Sequence, residues 1–584
     1  MLTEEILDAR YPNLNFLLRF VEESPLNFPL HQDRIDLEVS KATASLKLDE
    51  LELIYIYGIG LGYYYFPLKE WLTESPERDL IFIEEDMGAL RAFLKMEHAA
   101  EILEHPQVHI RFNMDRKRLT HFLEECAQDF PVEKIEMIAL SAYKKHYRSR
   151  FYRMRLKLHR LTTVNHAVFI ENLHYNLFFK NFLPNFQRFS GAFFGNHLKN
   201  QFKNTPAVIC GAGPSLSKDF DRLRALENRA LIFAGGSAIT ALSHQGILPH
   251  FGVAIDPNFE EYHRFKASSA FEIPLFYVNR LLPHIFNTCN GPHGYLHTMT
   301  GGRAELWMEE QLGIKGEALQ EGFDLEALSV TTTAIQLACT LGCNPIILSG
   351  VDLAFTDNHS YTSGVVTESR VFFAERKKEV RVSEKLLKRR DICGRPIETL
   401  VKWVMESSAI STFAKKNSAF QFINSTAGGL GFKAIPNKRL EEIAFPCSYD
   451  LRSKIHQVIE TYKLSITSQQ IDGKLSKIKE SFQKAHSYVR TALAELKRVQ
   501  GEDRDPETGK LIFAQMELES LDAYVCFLKD PDLTFHHVFN RKYRPSNWRQ
   551  PDYQVKWDLL QSKWLAFDQL ITFYLKQMDA VGSH

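Results

Sequence analysis

The sequence predicts an α/β protein made of two Rossmann-like parallel-sheet domains followed by a C-terminal helical bundle. Three observations predict it. Glycine-rich turns follow apolar runs at 58–62 and 211–215, apolar runs alternate with helical stretches through most of the chain, and long amphipathic segments take over after residue 446. The 584 residues suffice for three or four domain-sized units, and 45% apolar residues, 43 Phe among the chain's aromatics, supply each unit with a core. Lys+Arg and Asp+Glu both total 71, which leaves no whole-chain electrostatic footprint for nucleic acid.

The start, MLTEEILDARYPNL, is acidic and has no basic segment leading into an apolar run, so no signal peptide is expected. No stretch reaches the ~18 apolar residues of a membrane span. A cytoplasmic protein is the resulting expectation. The eight cysteines are scattered without a CxxC pair, which argues against a disulfide framework or a zinc site, and no metal site is predicted. Cys339 and Cys343, four apart in a helical stretch, read as buried small hydrophobes.

Residues 1–150 form the first predicted domain. The run LELIYIY meets Gly58, Gly60 and Gly62 before a helical stretch, and DLIFIEED places Glu84 and Glu85 at a second strand end. There an acidic side chain can receive the ribose hydroxyls of a nucleotide or of S-adenosylmethionine. Glycines at such a place also serve tight turns and close helix packing, and both readings stay open. VHIRF and IEMIAL continue the alternation. Residues 151–200 read as a helical bridge, from basic FYRMRLKLHR to amphipathic ENLHYNLFFKNFLPNF.

Residues 201–445 form the second domain, with strand candidates AVICGAGPSL, RALIFAGG, HFGVAID, PLFYV, NPIILSG and FQFIN. Its sharpest feature is the turn Gly211, Ala212, Gly213, Pro214, Ser215. Two glycines let the main chain approach a ligand, Pro214 suits a first helical turn, and unbonded N–H groups with a helix dipole favour phosphate. The lysine of a Walker loop is absent. Ser329, Thr331 and Thr332 stand at a helix start, where hydroxyls cap. After IILSG, the residues Asp352, Asp357, His359, Ser360 and Tyr361 gather at a strand end, where open α/β sheets bind ligands. His359 is the candidate general base and Tyr361 a donor to a phosphate oxygen. Asp256 ends another strand and suits a sugar hydroxyl; with Asp352 it would equally suit Mg²⁺. Residues 446–584 read as helices at 452–500, 511–530 and 552–578, broken at EDRDPETG and at DPDLTFHH.

GAGPSL (211–216), GGSAITALSHQGILPHFGVAIDP (235–257), SVTTTAIQLACTLGCNPIILSGVDLAFT (329–356) and NSTAGGLGFKAIP (424–436), in that order, resemble the motility-associated-factor (Maf) glycosyltransferases. YGIGLGYYYFPL and IFIEED resemble that family's accessory domain. The resemblance implies a central domain similar to bacterial sialyltransferases and to MptE-like 6-hydroxymethylpterin diphosphokinases. It implies transfer of a nonulosonic acid from a CMP-activated donor to Ser or Thr of a protein such as flagellin, with no cofactor required. Gly211, Gly213, Pro214, Ser215, Asp352 and Tyr361 match the sialyltransferase pattern, and Ala212, Ser237, Ser329, Thr331 and Thr332 complete the implied nucleotide site. Ala212 and Ala354 depart from it, standing where sialyltransferases have Asn and a phosphate-binding Tyr. Two other readings stay open: an ATP- and Mg²⁺-dependent pterin diphosphokinase, and a nucleotide-sugar-binding assembly factor without turnover.

Overall fold

The computed structural model describes residues 2–21, 25–26, 28–31, 34–173, 175–298, 302–316, 318–323, 329–365, 386–445, 447–543 and 552–581. The chain forms two compact units. One comprises Met1–Asn172 with Leu496–Thr508 and Asp532–Trp564; the other comprises Leu173–Glu495 with Gly509–Pro531 and Leu565–His584.

In the first unit, β1 (Leu53–Tyr57), β2 (Asp79–Glu84), β3 (Val108–Phe112) and β4 (Ile135–Ala139) form a parallel sheet in the order β3-β2-β1-β4. β1 and β2 are buried at every position, as their unbroken apolar runs require of strands covered on both faces. The glycine turn after β1 is filled by the unit's own side chains. The buried Glu84 carboxylate accepts from Ile59 N at 2.8 Å, Glu85 N at 2.7 Å, Asp86 N at 2.8 Å and Tyr143 Oη at 2.6 Å. His31 Nε2 accepts from Leu61 N, and a Cβ on Gly58 would lie 2.8 Å from the Tyr143 ring. Glu84 therefore holds the turn rather than a ribose, and burial pushes its carboxyl up to about 7. Glu85 pairs with Arg150 at 2.5 Å, and Arg155 with Glu136 at 2.8 Å, so Arg150 and the bridge's Arg155 both bind carboxylates of their own unit.

The second unit is built on eight parallel strands in the order β14-β11-β6-β7-β8-β9-β10-β5: β5 (Phe193–Phe194), β6 (Ala207–Cys210), β7 (Leu231–Gly235), β8 (Phe251–Ala254), β9 (Leu275–Tyr277), β10 (His293–Tyr295), β11 (Ile346–Ser349) and β14 (Phe422–Asn424). From β6 the chain winds outward through β7 to β10, then returns to place β11 on the other side of β6. The strand order reverses between β6 and β11, and the crevice at such a point is where open α/β sheets bind ligands. A separate antiparallel hairpin joins β12 (Leu386–Arg390) to β13 (Pro396–Leu400). The core carries Ile209, Phe233, Val253, Phe276, Leu348 and the helix Val330–Thr340, and it includes both Cys339 and Cys343.

The C-terminal region is helical, as expected, and its helices are divided between the two units. DPDLTFHH does not break it: the helix Lys529–Lys542 runs through this stretch. A π-helical turn at Tyr524–Leu528 stands just before Pro531, and the wider turn accommodates a ring that would otherwise clash with the preceding carbonyls.

At the end of β10, Tyr295 Oη lies 2.5 Å from Glu305 Oε1 and also within hydrogen-bonding distance of Glu309, which in turn is 2.9 Å from His297 Nδ1. Two carboxyls thus share one hydroxyl donor in a buried space, which disfavours both being ionised. Burial pushes Glu305 up to about 8. A folded value above the ~4.3 of an unfolded carboxyl means a contribution to stability that is complete at low pH and lost as pH rises through about 8. The second unit is expected to lose ~2–3 kcal/mol between pH 6 and pH 9 through this group. Urea midpoints across that range test this: Glu305→Gln should remove that part of the slope, and an unchanged slope would place the proton elsewhere.

Candidate active site

The site is assembled where β6 and β11 end side by side. Gly211 N donates to Ser349 O and Gly213 N to Gly350 O, both at 2.8 Å, which ties the turn after β6 to the loop after β11. These approaches leave no room for side chains. A Cβ on Gly211 would lie 2.5 Å from Gly350 O, and one on Gly213 would lie 2.2 Å from Asp352 Oδ1 and 2.7 Å from Gly350 O. Gly350 itself takes φ +66°.

Asp352 locks the junction. Only 2% exposed, it accepts from Ser215 Oγ at 2.5 Å through Oδ1 and from Thr356 Oγ1 at 2.7 Å through Oδ2. Its carbonyl accepts from Leu430 N, and a Cβ on Gly429 would lie 2.1 Å from that oxygen, so the 428–430 stretch of NSTAGGLG closes over the same residue. Burial raises the Asp352 carboxyl, against the lowering by its two hydroxyl donors. Beneath it, Ser349 Oγ donates to Asp219, whose carboxyl burial pushes up to about 6.

The turn offers fewer amides than the sequence suggests. Gly211 N and Gly213 N are spent on β11's extension, and Ser215 N faces Asp352 at 3.4 Å. Ala212 N–H stands outside these bonds, while the Ala212 carbonyl accepts from Thr362 N at 2.9 Å. The element after the turn is a 3₁₀ helix, Pro214–Lys218, followed by the short α-helix Phe220–Arg224, so the dipole expected behind the phosphate is weak. The glycines are required first by strand-to-strand approach.

The Thr362 N–H bond to Ala212 O ties the loop that carries half-buried Tyr361 to the turn. His359 is exposed. It ends a tight turn in which Asp357 and Asn358 take φ +51° and +65°, and its N–H donates to Thr356 O. Its Nδ1 donates to Asp357 O at 2.8 Å. A carbonyl only accepts, so in the neutral ring Nε2 is the bare nitrogen.

Ser329 and Thr332 form a capping box on the helix Val330–Thr340, and Ser329 Oγ also donates to Glu406 at 2.6 Å. Of the three predicted hydroxyls, half-buried Thr331 is the one outside this cap. The cap adjoins the end of β7, since a Cβ on Gly235 would meet Val330. Ser237, buried, opens the helix Ser237–His244 beyond Gly236.

Asp256 follows β8 and lies within electrostatic reach of two residues that the sequence pattern did not single out. Glu261, 0% exposed, accepts from Arg264 Nη1 at 3.0 Å. Asp256 and Tyr361 both lie within electrostatic reach of Arg264. The sequence signal was EEYHRFK directly after VAIDPNF, an acid and a base three apart on the helix after a strand-end aspartate.

Residues 180–358 match the family described as 6-hydroxymethylpterin diphosphokinase MptE-like. An uncharacterized protein of Treponema pallidum (strain Nichols) is 37% identical over 65 residues, 11% of this chain, and the chain spans 31% of that relative's length. The solved structure of a Maf glycosyltransferase from Magnetospirillum magneticum AMB-1 superimposes with a TM-score of 0.54 at 12% identity, covering 100% of this chain and 96% of that one. By fold the chain is thus similar from end to end to a Maf glycosyltransferase, and by sequence at 180–358, across the strands that build the site, to the MptE-like family.

Proposed function

We propose that the second unit is a glycosyltransferase that moves a nonulosonic, sialic-acid-like sugar such as pseudaminate from CMP to a Ser or Thr hydroxyl of a protein acceptor such as flagellin, in a cytoplasmic setting. The observation that supports this reading is the Asp352 lock on Ser215 and Thr356 at the β6–β11 crevice, with the loop of Tyr361 tied to Ala212 O through Thr362 N, within a fold similar to a Maf glycosyltransferase. The chemistry is an inverting displacement without a required cofactor. The acceptor oxygen forms the new bond to the sugar's anomeric carbon, its proton passes to His359 Nε2, and CMP departs with the electron pair of the broken C–O bond. Tyr361 donates to the departing phosphate.

His359→Ala tests the base. General-base removal costs about 10²- to 10⁴-fold in rate, so CMP release in the presence of acceptor should fall by that factor while CMP affinity stays unchanged. Full activity would remove His359 from the reaction.

The 180–358 match favours one second reading, diphosphoryl transfer from ATP to a pterin-like alcohol with Mg²⁺ on Asp256 and Asp352. On that reading Asp352 would hold the metal through the lone pairs left beside those that accept from Ser215 and Thr356.

A further inference from the structure

The donor reading leaves a negative charge to be met by a turn whose amides are mostly engaged. A five-residue 3₁₀ helix adds little field. Another group must supply the positive charge.

Arg264 is so placed. Its helix, Phe259–Lys266, begins three residues after Asp256, with Asn258 accepting from Glu261 N as its cap. The guanidinium side chain is 19% exposed and its Nη1 is held by Glu261, which is wholly buried. Tyr361, next to the Thr362 N–H that bonds the turn, lies within electrostatic reach of the same guanidinium, as does Asp256. Arg264 Nε and Glu261 Oε1 are both buried and have no hydrogen-bond partner among the described residues. Buried polar atoms in a native structure are normally paired, so two orphans in one ion pair mark a place for a further polar group. The pair lies over Gly236, where φ is +50° and a Cβ would sit 3.2 Å from Glu261 Oε2. Burial, with Asp256 nearby, raises the Glu261 carboxyl, while Arg264 opposes that rise. An arginine held by a fixed partner, with part of its side chain still exposed, is suited to a planar oxyanion.

Resting on that donor reading, we propose that Arg264 is the anion-recognising residue of the site, held in position by Glu261, and that it takes an acidic oxygen pair of the donor. A phosphate and the sugar carboxylate share this chemistry, and the experiment separates them.

The experiment is titration calorimetry on the full chain with three probes: inorganic diphosphate, CMP, and a CMP-linked keto-sugar acid, CMP-N-acetylneuraminate. The variants are Arg264→Gln, Arg264→Lys, Glu261→Ala and Glu261→Gln, with exposed Lys218→Gln as control. Loss of a charge-assisted hydrogen bond should weaken binding about 10- to 100-fold. If Arg264 takes phosphate, Arg264→Gln loses diphosphate and CMP together. If it takes the carboxylate, CMP binding is unchanged and the CMP-sugar falls to the affinity of CMP. Glu261→Ala should follow Arg264→Gln, whereas Glu261→Gln, which keeps an acceptor oxygen for Nη1, should stay within a few-fold of wild type. Arg264→Lys keeps the charge without the fork and should fall between, which preserves the test should the glutamine variant not fold. Wild type that binds diphosphate but neither cytidine probe, with Arg264→Gln losing that diphosphate, removes the donor reading and leaves the anion site standing. Equal affinities of wild type and Arg264→Gln for every probe, or no binding of any probe by wild type, overturns the proposal.

Discussion

Gly213→Ala should abolish CMP binding and lower the stability of the second unit by about 3–5 kcal/mol, as read from its urea midpoint. The added methyl group would stand 2.2 Å from Asp352 Oδ1 and 2.7 Å from Gly350 O. The backbone oxygen cannot move without breaking the Gly213 N to Gly350 O bond, and the carboxylate cannot move without releasing Ser215 or Thr356. The overpacking term accounts for ~1–3 kcal/mol and the loosened hydrogen bonds for the remainder. The methyl group points at the lock and not at ligand space. Lost binding without lost stability would therefore contradict this placement, because it would mean that the glycine serves the ligand directly.

Asp352→Ala should cost about 2–4 kcal/mol and likewise end donor binding. It leaves Ser215 Oγ and Thr356 Oγ1 without their acceptor in a buried space, and it removes the shared anchor of the turn after β6 and the loop carrying Tyr361. Asp352→Asn separates this role from metal binding. The amide keeps one acceptor oxygen for one of the two hydroxyls, so it should retain over half of the stability lost in the alanine variant. A residue that served only to hold Mg²⁺ would show the opposite pattern, with stability untouched in both variants and activity absent in both.

The strands were legible because a parallel sheet covered on both faces needs continuous apolar runs, and IILS, LIFA and LIYIY are such runs. β5 was not legible: two phenylalanines inside a Phe-rich stretch carry no period. β12 escaped for the opposite reason, since LLKRR is largely exposed and reads as a charged loop until its partner PIETL is known. The helix through DPDLTFHH depends on a π-turn placed before Pro531, which propensity does not report.

At the site, the sequence located the glycine turn, Asp352 and Tyr361, because strand-end loops follow from the strand pattern. What each group does there depends on the β6–β11 register. Only with Ile346 opposite Ala207 do the Gly211 and Gly213 amides meet Ser349 and Gly350, and those bonds leave phosphate fewer donors than the motif promises. Glu261 and Arg264 look like an ordinary i, i+3 surface pair in sequence; burial of the glutamate gives the pair its significance.

A cytidine nucleotide is expected to bind in the β6–β11 crevice of the second unit. Titration of the full chain with CMP, beside ATP with Mg²⁺, tests it most directly. Saturable binding of one CMP per chain, lost in Gly213→Ala and kept in His359→Ala, is the predicted result. Saturation by ATP·Mg²⁺ with no response to CMP would contradict it and move the diphosphokinase reading to first place.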